Sequence, residues 1–261
     1  MRALNIAASG MQAQQLNVDV ISHNIANMNT TGYKRQRAEF QDMLYQNLER
    51  PGSTSSASGS VLPLGIQLGV GVRADAVGRV TEQGGMAATA NPYDLAINGR
   101  GFFQITLPSG QTAYTRAGNM AVNADGALVT ADGYPVEPSV TVPQEATAIQ
   151  VTRDGIVEVT IAGQTTPQQI GQLEIASFIN PAGLEAIGDN LFLETPASGT
   201  ANTATPGSPG LGTLMQGYLE LSNVNAVEEI SALIVAQRAY EMNARVITAA
   251  DEMLQSTTQL R

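Results

Sequence analysis

General acid–base hydrolysis needs two carboxylates, or a carboxylate and a histidine, within hydrogen-bonding reach of one substrate. The sequence offers Asp94, Asp125, Asp132, Asp154 and a single histidine, His23. Asp125-Gly126, Asp132-Gly133 and Asp154-Gly155, like Ser109-Gly110, stand between short apolar runs, where such pairs meet the positive φ of tight hairpin turns. They read as turn formers, and no spacing brings two of the four carboxylates together. A Ser-His-Asp triad could be built only on His23, and a site of several histidines is impossible. With no cysteine, disulfides, zinc thiolates and cysteine nucleophiles are excluded. "GVGVRA", Gly69 to Ala74, has a glycine spacing that superficially fits a dinucleotide loop, but no helical pattern follows it. Asn29-Thr30-Thr31 has the form of a glycosylation acceptor, yet it lies where a helix is expected to end. The expectation is a protein that is not an enzyme, with no cofactor and no metal.

These residues hang on two unlike kinds of sequence. Only 14% of residues are charged, well below an ordinary soluble domain, so much of the surface is expected to meet protein. Thirteen basic against 23 acidic residues give a net charge of −10, which argues against nucleic acid as a partner. Asn5, Gln12, Gln14 and Gln15 interrupt the first apolar segment, so neither a cleaved leader nor a membrane span is expected there.

At the N-terminus a seven-residue repeat places Leu4, Met11, Val18 and Ile25 at one position and Ala7, Gln14, Ile21 and Met28 at the other. The same period near the C-terminus selects Ala226, Leu233, Tyr240, Ile247 and Leu254, alternating with Ile230, Gln237, Ala244, Asp251 and Thr258. Each is a coiled-coil seam, and one apolar stripe has to be covered by another element. Residues 1–36 carry three basic groups to one acid, and residues 214–261 three to six, so pairing of the two ends is electrostatically easy. His23 falls off the first seam and reads as a surface residue. The stretch "SHNIANMNTTGYKRQRAEF" then stops the first helix, because Asn27, Asn29 and Gly32 can all adopt the left-handed conformation that terminates one.

Between the ends lie short runs such as "GFFQITL", "AYTRAG", "ALVTA", "IQVTR" and "IVEVTIA", punctuated by the turn pairs above. "RPGSTSSASGSVLPLG" and "TPASGTANTATPGSPGLG" have linker composition. The predicted fold is α+β: paired N- and C-terminal helices forming a coiled coil, with a β-rich, hairpin-built domain inserted. The expected segments are a helix over 1–36, an extended inter-subunit stretch over 37–72, the β domain over 73–196, a linker over 197–216 and a second helix over 217–261. Heptad ends can bury their outer faces on neighbouring copies, and head-to-tail contacts that do not close make a helical tube. An adhesive β domain would explain the middle but not heptads at both ends.

"AASGMQAQQLNVDVISHNIANMNTTGYKRQRAEFQDMLYQ" resembles the N-terminal signature of the bacterial flagellar rod and hook proteins, and "SNVNAVEEISALIVAQRAYEMNARVITAADEMLQ" is similar to their C-terminal motif. "DLAINGRGFFQI", "AYTRAGNMAVNADGALVTADGYPV" and "GQLEIASFINPAGLEAIGDNLFLET" resemble the β domain of distal rod subunits in order and spacing. The resemblance covers nearly the whole chain and implies a structural subunit of the basal-body distal rod, with a proximal rod or hook subunit as the alternative. It implies a homopolymer, with proximal rod and hook proteins, ring proteins and the type III export apparatus as further partners. Export without a cleaved signal and a place in the periplasm and outer-membrane ring follow from it. The expected assembly interface comprises Leu4, Met11, Val18, Ile21 and Ile25; Asn27, Asn29, Gly32, Tyr33 and Lys34; and Leu233, Tyr240, Asn243, Ile247 and Leu254. The stretch from Tyr45 to Arg73 is expected to tie neighbouring protofilaments.

Overall fold

The first twenty-odd residues lack any helix breaker except Gly10, and they form one helix, α1, Arg2–Ala26. The second, α2, spans Ala226–Gln259. Asn225 starts α2: its side-chain oxygen accepts the Val227 N–H at 3.1 Å and its amide donates to Glu228 at 3.2 Å. Glu228 and Glu229 lie in the first turn, where carboxylates oppose the positive end of the helix dipole. The computed structural model describes residues 2–49, 64–163 and 166–259 and divides into two units. One contains Met1–Ala26, Gln36–Gly78 and Asn225–Arg261; the other contains Asn27–Arg35 and Arg79–Val224.

In the first unit α1 and α2 run antiparallel, since Asn24 meets Glu229 near one end and Gly10 meets Asn243 further along. Strands follow α1 in the chain: Gln36–Asp42 pairs with Val72–Arg79, and Tyr45–Glu49 pairs antiparallel with Ile66–Gly69. "GVGVRA" is thus a strand–turn–strand segment rather than a phosphate-binding loop. The first helix stops at Ala26, ten residues short of the expected 36, and the described residues of the stretch expected as extended are largely paired strand.

The second unit is built on a sheet ordered Glu185–Gly188, Leu191–Leu193, Thr112–Thr115, Phe102–Thr106, Ile175–Ser177 and Asn202–Ala204, with Val136–Glu137 also paired to Phe102–Thr106. Phe103, Ile105, Ile97, Ile175, Leu173 and Leu214 fill its core, each at most 1% exposed. A smaller cluster stacks Phe102, Tyr114, Phe178 and Phe192 edge to face, with centroids 4.8–6.0 Å apart. Four turns share one geometry. In each, glycine takes the left-handed φ and donates to a carbonyl three residues back: Gly110 to Leu107, Gly126 to Asn123, Gly133 to Thr130 and Gly155 to Thr152. These are three-residue hairpin loops with a glycine bulge, so the aspartates occupy turns as expected but only their glycines need positive φ.

The segment expected as a linker over 197–216 contains two strands, Asn202–Ala204 and Thr213–Gln216, the latter paired with Leu95–Asn98. Its small residues serve close backbone approach rather than flexibility: a Cβ on Gly212 would lie 2.5 Å from the Asn98 carbonyl oxygen. Tyr218–Glu220, expected within the C-terminal helix segment, is a strand paired with Met86–Ala88.

Candidate assembly interface

A helix pair normally hides its aliphatic side chains and shows its small and polar ones. In α2 much of this is inverted. The covered stripe is buried Glu229, Ala236 and Ala250 with half-buried Asn243 on the same seven-residue period, whereas Val227, Ile230, Ile234, Val235, Met242 and Val246 are exposed. Val235 is 67% and Ile234 48% exposed. The expected partner positions Ile230, Gln237 and Asp251 are likewise exposed, so the covered register lies one residue earlier than the apolar period indicates. The side chain of Thr258 lies outside the described residues. Side-chain volume explains the shift. Gly10 lets the helices approach until a Cβ there would sit 2.9 Å from the Asn243 amide, and alanines permit the same closeness further along. Asn243 therefore meets α1 within the chain.

On α1, Ala7 and Ile21 are buried and Leu4, Met11, Val18 and Ile25 half-buried; on α2, Leu233 and Ile247 are half-buried, while Tyr240 and Leu254 are exposed. Exposed His23 lies on the α1 surface. Asn24, 1% exposed and absent from the expected set, donates to the Gln36 carbonyl at 2.8 Å and to Glu229 at 3.1 Å, and accepts the Gln36 N–H at 2.9 Å. It ties the end of α1 to the start of the next strand and to the first turn of α2.

The ribbon of Tyr45–Glu49 and Ile66–Gly69 is a second exposed apolar surface, with Leu48, Ile66 and Leu68 each about half exposed. Gly71 anchors its base at φ +143°, where a Cβ would strike the Ser9 hydroxyl at 2.3 Å; that hydroxyl accepts the Val72 N–H. Residues 50–63 of the expected inter-subunit stretch lie outside the described residues.

Gly32, Tyr33 and Lys34 are placed differently from the expectation, for all three are buried inside the second unit. Of the three expected helix terminators only Gly32 has a positive φ, +70°. Asn27 instead accepts the Thr30 N–H in a turn, and Gly32 donates to the Glu220 carbonyl at 2.8 Å. Lys34 reaches the Glu220 carboxylate at 2.6 Å and the Glu82 carbonyl at 2.8 Å. The other Glu220 oxygen takes Arg116 Nε at 2.5 Å, and the Arg116 fork also donates to the carbonyls of Ile97, Gly99 and Gly101. Gly84 adds an N–H to Glu220. Burial alone would raise the Glu220 carboxyl, but the charges and hydrogen bonds of Arg116 and Lys34 outweigh it and hold it below the usual carboxylate range. Burial pulls the Lys34 ammonium below its ordinary range against the attraction of Glu220. Beside this cluster Asn223 accepts the Arg35 N–H at 2.7 Å and donates to the Val80 and Glu82 carbonyls.

The chemistry these groups support is cohesion. Asp94 is buried and bound to the Asn91 side chain, Asp125, Asp132 and Asp154 are exposed at turns, and no metal-holding group of three His, Asp or Glu occurs among the described residues. No helix among them is long and apolar enough to cross a membrane.

A C-terminal helix that presents an aliphatic face outward, together with a β-rich unit built from the middle of the chain, suits a structural protein. A profile described as "Flagella basal body rod protein" matches residues 4–34, "Flagellar hook protein FlgE/F/G D1 domain" matches 96–159, and "Flagellar basal body rod FlgEFG protein C-terminal" matches 215–260. The flagellar basal-body rod protein FlgG of Caulobacter vibrioides is 62% identical over 261 residues, covering the whole of both chains. That of Agrobacterium fabrum is 53% identical over 253 residues, 97% of each chain, and that of Borreliella burgdorferi 48% over 263 residues, 100% of this chain and 99% of the relative. The chain belongs to the flagellar basal-body rod protein family. It is a structural subunit of the distal rod, which decides against the proximal rod and hook alternatives.

Proposed function

We propose that this subunit polymerises, through its two terminal helices, into a straight helical tube that transmits motor torque to the hook and encloses the export channel. The observation that carries the reading is the outward aliphatic face of α2, with Val235 and Ile234 at its centre. Burying one such side chain is worth about 1.5–3 kcal/mol, so a face of six supplies the gain that drives addition of each copy. The heptad residues Leu4, Met11, Val18, Ile25, Leu233, Tyr240, Ile247 and Leu254 then complete a coiled-coil lattice between copies, each helix pair being one strand of it. The exposed ribbon bridges adjacent protofilaments and keeps the tube straight.

The partners are further copies, the proximal rod and hook proteins at the tube ends, and the ring proteins around it. The subunit reaches the periplasm and the outer-membrane ring through the type III apparatus. The test is electron microscopy of the purified chain after concentration, with Val235→Asp at the same concentration beside it. Straight tubes from the wild type and none from the variant are expected. Tubes from both would overturn the role of this face.

A further inference from the structure

Asn98-Gly99 is the one Asn-Gly pair in the chain. In such a pair the glycine nitrogen can attack the asparagine side chain, because no Cβ on the second residue obstructs the approach. The attack begins when a base removes the glycine N–H proton, so whatever holds that proton controls the reaction. Gln83 holds it. The Gln83 side-chain oxygen accepts the Gly99 N–H at 3.0 Å, and its amide donates to the Ile97 carbonyl at 3.1 Å. One side chain thus grips the main chain on both sides of Asn98. Arg116 reinforces the grip, donating to the Ile97 carbonyl at 3.0 Å and to the Gly99 carbonyl at 2.5 Å. The sheet ladder does not require Gln83, since Leu95–Asn98 is already paired with Thr213–Gln216. All these residues belong to the second unit, so their chemistry is independent of how copies meet.

We propose that Asn98-Gly99 is a latent modification site, a point at which the chain deamidates itself, and that the Gln83 side chain keeps it closed. The reaction balances with water alone. The Gly99 nitrogen gives up its proton and bonds the carbonyl carbon of the Asn98 side chain; the carbon–nitrogen bond of that side-chain amide breaks, and the nitrogen leaves with the proton as ammonia. The five-membered imide then takes up one water. Opening at the side-chain carbonyl gives aspartate, and opening at the main-chain carbonyl gives isoaspartate. Nothing is oxidised or reduced. Asn98 is exposed, so water and base can reach it once the Gly99 N–H is released.

The products have a structural consequence. Isoaspartate adds a methylene to the main chain between the Ile97 and Gly99 carbonyls, both of which accept from the same Arg116 nitrogen, Nη2. The lengthened chain cannot keep both contacts. Arg116 also holds Glu220, so modification at an exposed strand end reaches the buried charge cluster.

The test is incubation of the full-length chain at mildly alkaline pH, with aspartate and isoaspartate at position 98 measured by mass spectrometry of the tryptic peptide 80–100. That peptide carries its own reference: Asn91 precedes Pro92, whose nitrogen has no proton to give up. In the wild type, conversion in the folded chain is expected to be at least about tenfold slower than in urea, since one net hydrogen bond changes the opening of an amide by up to about that factor. Gln83→Ala should convert about tenfold faster than wild type when folded, with amide exchange at Gly99 raised by the same factor. Gly133→Ala, which strains a different turn of the same unit and leaves Gln83 in place, is expected to convert at the wild-type rate. Equal conversion of the folded and urea-unfolded wild type would overturn the proposal. So would a wild-type rate in Gln83→Ala, or equal acceleration by Gly133→Ala, which would make opening of the whole unit, and not release by Gln83, the controlling event.

Discussion

Glu220 shows how much can rest on one side chain in a protein with so few charges. Replacing it by Gln leaves Arg116 and Lys34 as buried cations without a counter-charge, and the expected loss is about 3–5 kcal/mol, measured by urea unfolding of the β unit. The pH dependence has a definite sign. A carboxyl held below its unfolded value of about 4.3 contributes its full stabilisation above that pH, and loses it as pH falls through the unfolded and then the lower folded value. Melting temperature should therefore fall more steeply below about pH 4 in wild type than in Glu220→Gln. The glycine turns give a second contrast. Gly133→Ala meets nothing within 4 Å and should cost about 1–2 kcal/mol for its left-handed backbone alone, whereas a Cβ on Gly126 lies 2.4 Å from the Val142 carbonyl oxygen and should cost more. Denaturation midpoints of the two variants check it. The turn glycines were legible in the sequence because backbone geometry is a local demand. The partnership of Lys34, Glu220 and Arg116 was not, since residues 104 and 186 positions apart leave no periodic trace. Lone charges in or next to apolar strands, Arg116 in "AYTRAG" and Glu220 in "YLEL", were the available signal.

At the scale of elements, the two helices and the alternation of strands and turns could be read from residue pattern, because periodicity reports which face an element must cover. The facing register could not. Heptad counting ranks positions by hydrophobicity, while the α1–α2 contact is set by how close two backbones can come, and Gly10, Ala236 and Ala250 are invisible to such a ranking. The linker at 197–216 misled for the related reason that glycine and serine suit both free chain and tight backbone packing. Substitutions separate the two faces of α2. Ala236→Leu should overpack the pair and destabilise it by about 1–3 kcal/mol, seen as a lower helical melting transition by circular dichroism. Ile234→Ser should leave that melt within about 0.5 kcal/mol of wild type and yet suppress polymer. A lowered helical melt in Ile234→Ser would show that the exposed face already has a partner within the chain.

For the whole molecule, the proposed reading gives the two exposed apolar surfaces different work. If the ribbon bridges neighbouring protofilaments, Leu48→Lys with Leu68→Lys should leave the unassembled chain folded, because both side chains are about half exposed, but should give curved or short polymers. Curvature by electron microscopy, wild type against the double variant, measures it, and equally straight tubes would reduce the ribbon to a passive connection.

If the outward aliphatic face of α2 joins copies as proposed, it also sets how the polymer begins. Two copies in contact would then cover only part of each face, whereas a copy inside a helical lattice would be covered from several directions. The first few additions are then uphill and later ones downhill, so growth has a threshold: below a critical concentration the chains stay single, and above it tubes appear after a lag that pre-formed fragments abolish. Turbidity against protein concentration, with and without sheared seeds, should show a sharp onset rather than a gradual rise. Tube number would then be governed by the supply of starting ends, and a cell that offers one such end need make no other arrangement to obtain one tube.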